Sequence, residues 1–238
     1  MPNRAKSLGE LEALRRLIAR LEGARRRGSD GPVPSGCGPL DAILPASGLR
    51  RGTLAEWLAA GEGTGAAALA LLAAREACRD GGVLLVLDHR REFYPPAVVR
   101  LGIELEQLIV VHAAGPADNT WALDQALRSP AVAAVLAWPE KLDGRTFRRL
   151  QLAAEEGGGL GLLIRPDAVR HEPSWAHVRL AVEPLPALSA QSGRRWLRIH
   201  LLRCRGSSGG RTIDVELDDE TRTVYPAARS RLRLSRKA

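Results

Sequence analysis

From residue 38 onward, continuous apolar runs alternate with stretches of helical character. The runs occupy residues 53–59, 83–88, 108–112, 132–137 and 160–164, and the stretches between them cover 65–79, 95–101, 120–128 and 144–156. Strands that are apolar throughout, separated by helices, predict βα units around a sheet covered on both faces. After residue 173 the pattern changes. Residues 177–183, 195–203 and 211–217, followed by "RTVY", alternate in polarity between glycine-rich turns. That alternation predicts antiparallel strands extending the same sheet. The fold class is therefore α/β, with a mainly parallel sheet, covering helices and an antiparallel C-terminal extension.

The two ends of the chain differ from this core. In "LGELEALRRLIARLEGARRR", residues 8–27, Leu11, Leu14, Ile18 and Leu21 fall on one face of a predicted helix. Such a helix either docks on a partner or caps the main domain, and the stripe, narrow for a core helix, favours the partner. "SDGPVPSG" then predicts a flexible break. At the other end, "PAARSRLRLSRKA" is basic, contains no acid, and predicts a disordered tail. Three segments result: a separate N-terminal helix and linker over 1–30, a core over 31–225 and a tail over 226–238.

Charge adds a partner to this picture. The chain carries 35 Lys+Arg against 27 Asp+Glu, for a net charge of +8. Such a balance points to a polyanion, nucleic acid first. Cys37, Cys78 and Cys204 are far apart, and the five histidines are scattered, so no disulfide framework or metal site is indicated. No apolar run is long enough to span a bilayer and no secretory leader is evident, which predicts a cytoplasmic protein without membrane contact.

The chemistry centres on "AAGEGTGAAALALL", residues 59–72. A working phosphate loop, GxxxxGK[ST], uses glycines to turn backbone N–H groups onto the phosphates. Its lysine reaches the outer phosphates and its hydroxyl holds magnesium. With Gly65 as the second glycine, Ala66 stands at the lysine position, Ala67 at the hydroxyl position and Ala60 at the first glycine. What remains is a turn, Gly61-Glu62-Gly63-Thr64-Gly65, without cation or metal ligand. Two further positions agree. The run 132–137 ends in Ala137 and Trp138 rather than an acid, with Glu140 and Asp143 lying further out toward solvent. The run 83–88 ends in Asp88 but continues into His89, Arg90 and Arg91. No catalytic residue, bound ATP or other cofactor is expected.

These residues resemble a known family. "PSGCGPLDAILPASGLRRGTLAEWL" with "GEGTGAAALALLAA" is similar to the entry strand and phosphate loop of the RecA recombinases. "VLLVLDHRREFYPPAVVRLGIELEQLIVV" is similar to the stretch that holds their catalytic glutamate, a position occupied here by Arg90. Residues 33–218 as a whole look like ImuA, the RecA-like accessory proteins of bacterial mutasome operons. The specific pieces are Arg148-Arg149-Leu150-Gln151-Leu152-Ala153-Ala154-Glu155 and Arg203-Cys204-Arg205-Gly206. The resemblance implies a RecA-like core and a role in damage-induced translesion synthesis. It also implies three partners: an ImuB-like polymerase-related protein, an error-prone replicative-type polymerase and RecA itself. Two other readings stay open: a divergent DNA-dependent ATPase or recombinase, and a SulA-like cell-division inhibitor, since SulA proteins resemble the same core.

DNA contact has its own candidates. No acid lies between Glu183 and Asp214, whereas Arg194, Arg195, Arg198, Arg203, Arg205 and Arg211 do, with Trp196 among them. Guanidiniums bind phosphates bidentately. The competing expectation is that Arg203 and Arg205 pair with Asp218, Asp219 or Glu220. Trp121 is expected in the core, and Arg145, Arg148 and Arg149 on a solvated helix face that could also meet a polymerase.

Overall fold

The computed structural model describes residues 31–186, 193–207 and 209–227. The predicted N-terminal helix with Leu11, Leu14, Ile18 and Leu21 lies outside the described residues, as does the tail beyond Ala227. Pro226 ends the last strand and Ala227 is buried, so the core runs slightly past the expected boundary.

One nine-stranded sheet organises the chain, in the order β3-β2-β4-β5-β1-β6-β7-β8-β9. Its strands are β1 (Thr53–Ala59), β2 (Val83–Leu87), β3 (Leu108–Val111), β4 (Val132–Ala137), β5 (Leu160–Pro166), β6 (Val178–Leu185), β7 (Arg194–Cys204), β8 (Arg211–Asp218) and β9 (Thr223–Pro226). Strands β1 to β6 are parallel, and β6 to β9 are antiparallel. The expectation for residues 177–183 is thereby corrected. This run becomes β6, parallel to β1 on one side and antiparallel to β7 on the other. The physical reason is the connection: residues 167–177 carry the chain back to the starting end of the sheet before β6 begins.

Helices cover both faces. On one side α2 (Ala66–Cys78) packs its alanines and leucines against Trp57, Leu84, Leu136 and Leu162, with α1 (Gly38–Asp41) and α3 (Pro96–Arg100) beside it. On the other, α4 (Pro116–Arg128) and α5 (Gly144–Gly157) bury Leu123, Leu127, Phe147 and Leu150 against Leu54, Val135 and Leu163. The α4–α5 crossing is close enough that a Cβ on Gly157 would lie 2.0 Å from the Leu127 carbonyl. Helix α4 begins four residues before the expected start, because Pro116 suits the first turn, where its missing N–H costs nothing. Helix α5 is capped at its start by Asp143, whose carboxylate accepts from the Thr146 N–H at 2.8 Å, and at its end by Gly158 in the left-handed region.

The expected flexible break is corrected over its described part. Val33 bridges Leu49, and Val33, Ser35, Cys37 and Leu40 are buried. Gly48 permits this approach, since a Cβ there would lie 2.5 Å from the Val33 carbonyl oxygen. Trp121 is also corrected. It is 66% exposed, because the buried stripe of α4 runs through Leu123, Ala126 and Leu127 and leaves Trp121 outside. Among the described residues, no helix is long and apolar enough to cross a membrane.

Buried charge sits at the centre of the sheet. Glu56 on β1 is fully buried and meets Arg165 of β5 at 2.7 Å and Arg179 of β6 at 2.8 Å. Its second oxygen accepts from the Ser174 hydroxyl at 2.8 Å. Arg179 also donates to the carbonyls of Val169, Arg170 and Glu172, which fastens the 167–177 connection to the sheet. Replacing Glu56 with Gln removes the counter-charge of two buried guanidiniums and is expected to cost about 3–5 kcal/mol. A lowered urea midpoint at unchanged slope measures it; an unchanged midpoint contradicts the assignment.

Candidate functional site

The loop joining β1 to α2, residues 60–65, is the expected phosphate-binding position. It contains no lysine or arginine. Gly65 caps α2 with φ +89, a left-handed conformation that favours glycine. There is a second reason for glycine: a Cβ at position 65 would lie 2.6 Å from Leu197 Cδ1 of β7. Thr64 is buried, and its hydroxyl donates to the Gly61 carbonyl at 3.1 Å, closing the turn on itself. Ala66 is 1% exposed, Ala67 is partly buried, and Glu62 is exposed with Gly61 and Gly63. The loop thus keeps its backbone path while its one hydroxyl is spent internally.

The neighbouring strand ends are occupied by pairings. At the tip of β2, the Asp88 carboxylate accepts from the N–H groups of Glu92 at 3.0 Å and Phe93 at 3.1 Å, and His112 Nε2 lies 3.4 Å away. Burial pushes its pKa up, but the two backbone donors and His112 outweigh this and hold it below the ordinary carboxylate value. Asp88 therefore anchors its own loop. Arg90, at the position matched to the RecA glutamate, donates to Glu140 beyond β4 at 2.6 Å. That hydrogen bond and the guanidinium charge hold Glu140 below its usual range, so it is an ion-pair partner rather than a base. Both side chains are well exposed, and such pairs add little stability. Asp143, expected toward solvent, is exposed and caps α5. Burial raises the Cys37 thiol to about 12, so it supplies no nucleophile. Among the described residues, no group of three or more His, Cys, Asp or Glu could hold a metal ion.

The arginines expected to meet DNA fall into two sets. Arg195 clasps Asp219 through two hydrogen bonds, Arg198 clasps Asp214 in the same way, and Arg194 meets Glu216 at 2.6 Å. Arg203 and Arg205 have no acidic partner among the described residues. Arg203 donates to the Ser174 carbonyl at 2.7 Å, and Arg211 donates to the Ile43 carbonyl at 3.2 Å. Pairing across β7 and β8 thus does occur, but on different arginines from those expected: Arg194 lies opposite Asp218 and Arg198 opposite Asp214 in the register, while Arg195, opposite Leu217, reaches Asp219 in the turn after β8. Trp196 is buried, whereas Leu197, Ile199 and Leu201 form part of the core. Of the α5 arginines, Arg149 reaches Asp124 at 3.3 Å and Arg148 lies over the Trp175 ring. The Trp175 contact carries no sequence signature, since the 167–177 connection has no periodicity.

The architecture, a nine-stranded sheet with a glycine-rich turn from its central strand into a helix, is a RecA-like fold. The crystal structure of the RadB recombinase superposes with a TM-score of 0.62 over 82% of this chain and 99% of that one, at 16% identity. No family model matches the chain. Protein ImuA of Caulobacter vibrioides strain NA1000 / CB15N is 32% identical over 190 residues, which is 72% of this chain and 78% of that protein. The cell division inhibitor SulA of Photorhabdus laumondii is 29% identical over 105 residues, covering 44% of this chain and 59% of SulA. The chain belongs to the ImuA family.

Two substitutions check the site geometry. Gly65→Ala forces a left-handed alanine against Leu197 and is expected to lower stability by about 2 kcal/mol or more, read by urea denaturation. Asp88→Asn weakens a loop anchor whose carboxylate is held below its ordinary pKa. The wild-type advantage should be fully present above about pH 4, the unfolded value, and be lost as pH falls through the lower folded value. Unfolding midpoints of the two proteins from pH 7 to pH 3 measure this. A gap that widens in acid would contradict it.

Proposed function

We propose that this protein is a non-catalytic, RecA-like accessory factor of damage-induced translesion synthesis. Its similarity to ImuA and its RecA-like fold support a DNA damage-associated role. The observation that carries the non-catalytic reading is local: Ala66 and Ala67 stand where a cation and a hydroxyl would be needed, and Arg90 is held by Glu140. Stabilising a transferring phosphoryl group depends on such charges and on a metal ion. The side chains here offer neither, so the loop works as a structural turn and ATP is not a cofactor.

In this reading the protein acts through surfaces. Its partners are an ImuB-like polymerase-related protein, an error-prone replicative-type polymerase and RecA, with DNA contacted through arginines. The segment with Leu11, Leu14, Ile18 and Leu21 serves to dock one of the protein partners. Cellular and biochemical measurements test the proposal together. Deleting the gene should reduce damage-induced mutation to the spontaneous level, and the wild-type chain should restore it. The purified protein should show no ATP turnover with or without single-stranded DNA. A chain lacking residues 1–30 should lose at least one of these partners in a pull-down from damaged cells. ATP consumption abolished by changing Gly65 would support the ATPase reading instead. Filamentation on overexpression without a change in mutation frequency would support a SulA-like role.

A further inference from the structure

Four arginines without carboxylate partners among the described residues, Arg50, Arg148, Arg203 and Arg205, gather around the segment from Ser174 to His177. On α5, the Arg148 guanidinium lies 5.0 Å from the centre of the Trp175 ring, and Trp175 is 38% exposed. The adjacent Ser174 carbonyl accepts from Arg203 Nη1 at 2.7 Å, which brings the end of β7 beside the indole. Two residues on, the Arg205 N–H donates to the His177 carbonyl at 2.9 Å, and the His177 N–H donates to the Leu54 carbonyl at 2.8 Å. Arg50, exposed just before β1, lies near enough to His177 for its charge to act on the imidazole. Burial and the nearby charges of Arg50 and Arg205 all lower the His177 pKa, so the imidazole stays neutral and the local field is positive.

This belt differs from the basic surface of β7 and β8 in lacking acidic partners among the described residues. Arg203 meets a carbonyl, and Arg148 meets a ring. Glu172, an acid of the same connection, is turned to Arg165 at 3.1 Å. By contrast Arg194, Arg195 and Arg198 are all neutralised by acids of β8 and the turn after it. The belt also lies away from the phosphate loop, toward the starting ends of β1 and β6.

We propose that this belt is a binding path for single-stranded DNA, with Trp175 as a stacking platform and Arg50, Arg148, Arg203 and Arg205 on successive phosphates. The assignment rests on the DNA-contacting part of the function proposed above and specifies its site. Cations grouped around an exposed indole match the backbone-plus-stacking chemistry of single strands. At Gly206, in the turn after Arg205, a Cβ would meet nothing within 4 Å, which leaves room for a sugar-phosphate backbone. A protein partner would call for a core depleted of charge, and the belt has charges throughout.

The test uses the full-length chain and a fluorescent oligothymidylate of about 20 nucleotides, read by anisotropy. The Arg50→Ala/Arg205→Ala double variant is expected to weaken binding about tenfold and to flatten the salt dependence by about 1.4 in the log–log slope. Neither side chain has a polar partner among the described residues, so stability should not change. Trp175→Ala is expected to weaken binding about tenfold, and Trp175→Phe, which keeps a ring, by about threefold or less. The Arg195→Ser/Arg198→Ser double variant should bind within about twofold of wild type, because those charges are already paired. If only this last variant loses DNA, the belt is wrong while the DNA reading stands. If the wild type binds no DNA, both fall. Equal affinity for a duplex of the same length, or equal displacement by polyglutamate, also overturns the assignment.

Discussion

Glu56 is a carboxylate buried away from solvent, and the middle of this protein is arranged to make that tolerable. An isolated buried charge is prohibitively costly unless it is paired and hydrogen-bonded. Here the partners come from three places: Arg165 on the neighbouring strand, Arg179 on the strand opposite and Ser174 from the connection between them. Satisfying one side chain therefore fixes β5, β1 and β6 side by side and lays residues 167–177 across them. Arg179 extends the effect by binding carbonyls of that connection, so a segment with little regular secondary structure acquires a fixed course.

The C-terminal half of the sheet depends on that course. Because the connection returns to the starting end of the sheet, β6 enters parallel to β1, and β7, β8 and β9 are added by simple reversal. This places the apolar face of β7, with Leu197, Ile199 and Leu201, into the same core as α2. It also sets Trp175 and the Ser174 carbonyl beside the end of β7, where Arg203 reaches them. The charges then divide by neighbourhood. Arg194, Arg195 and Arg198 meet acids of β8 and the turn after it, whereas Arg50, Arg203 and Arg205 have no acidic partner among the described residues.

Most of the architecture was legible in the sequence because it rests on local pattern. Apolar runs of strand length, helices between them and the change to alternation after residue 173 define the sheet and its covering. The loop was legible because glycine spacing is a local signal, and so was the absence of lysine and hydroxyl at Ala66 and Ala67. Relations between distant residues were not. The pairing of Arg195 with Asp219 and of Arg198 with Asp214 depends on strand register, which residue counting alone left open. Trp121 was misplaced because a tryptophan suggests a core, yet the stripe that decided burial was set by Leu123, Ala126 and Leu127. The packing of residues 31–36 was missed because Gly and Pro signal a break, while burial of Val33 and Ser35 depends on a surface built elsewhere in the chain.

The contact between Leu197 and Gly65 couples two distant parts of the chain. In this chain the turn leans on a leucine contributed by a strand far along the sequence, and its threonine hydroxyl is committed to Gly61. Any side chain at position 65 would press on Leu197, so the turn and the seventh strand restrict each other's sequence although they lie far apart along the chain.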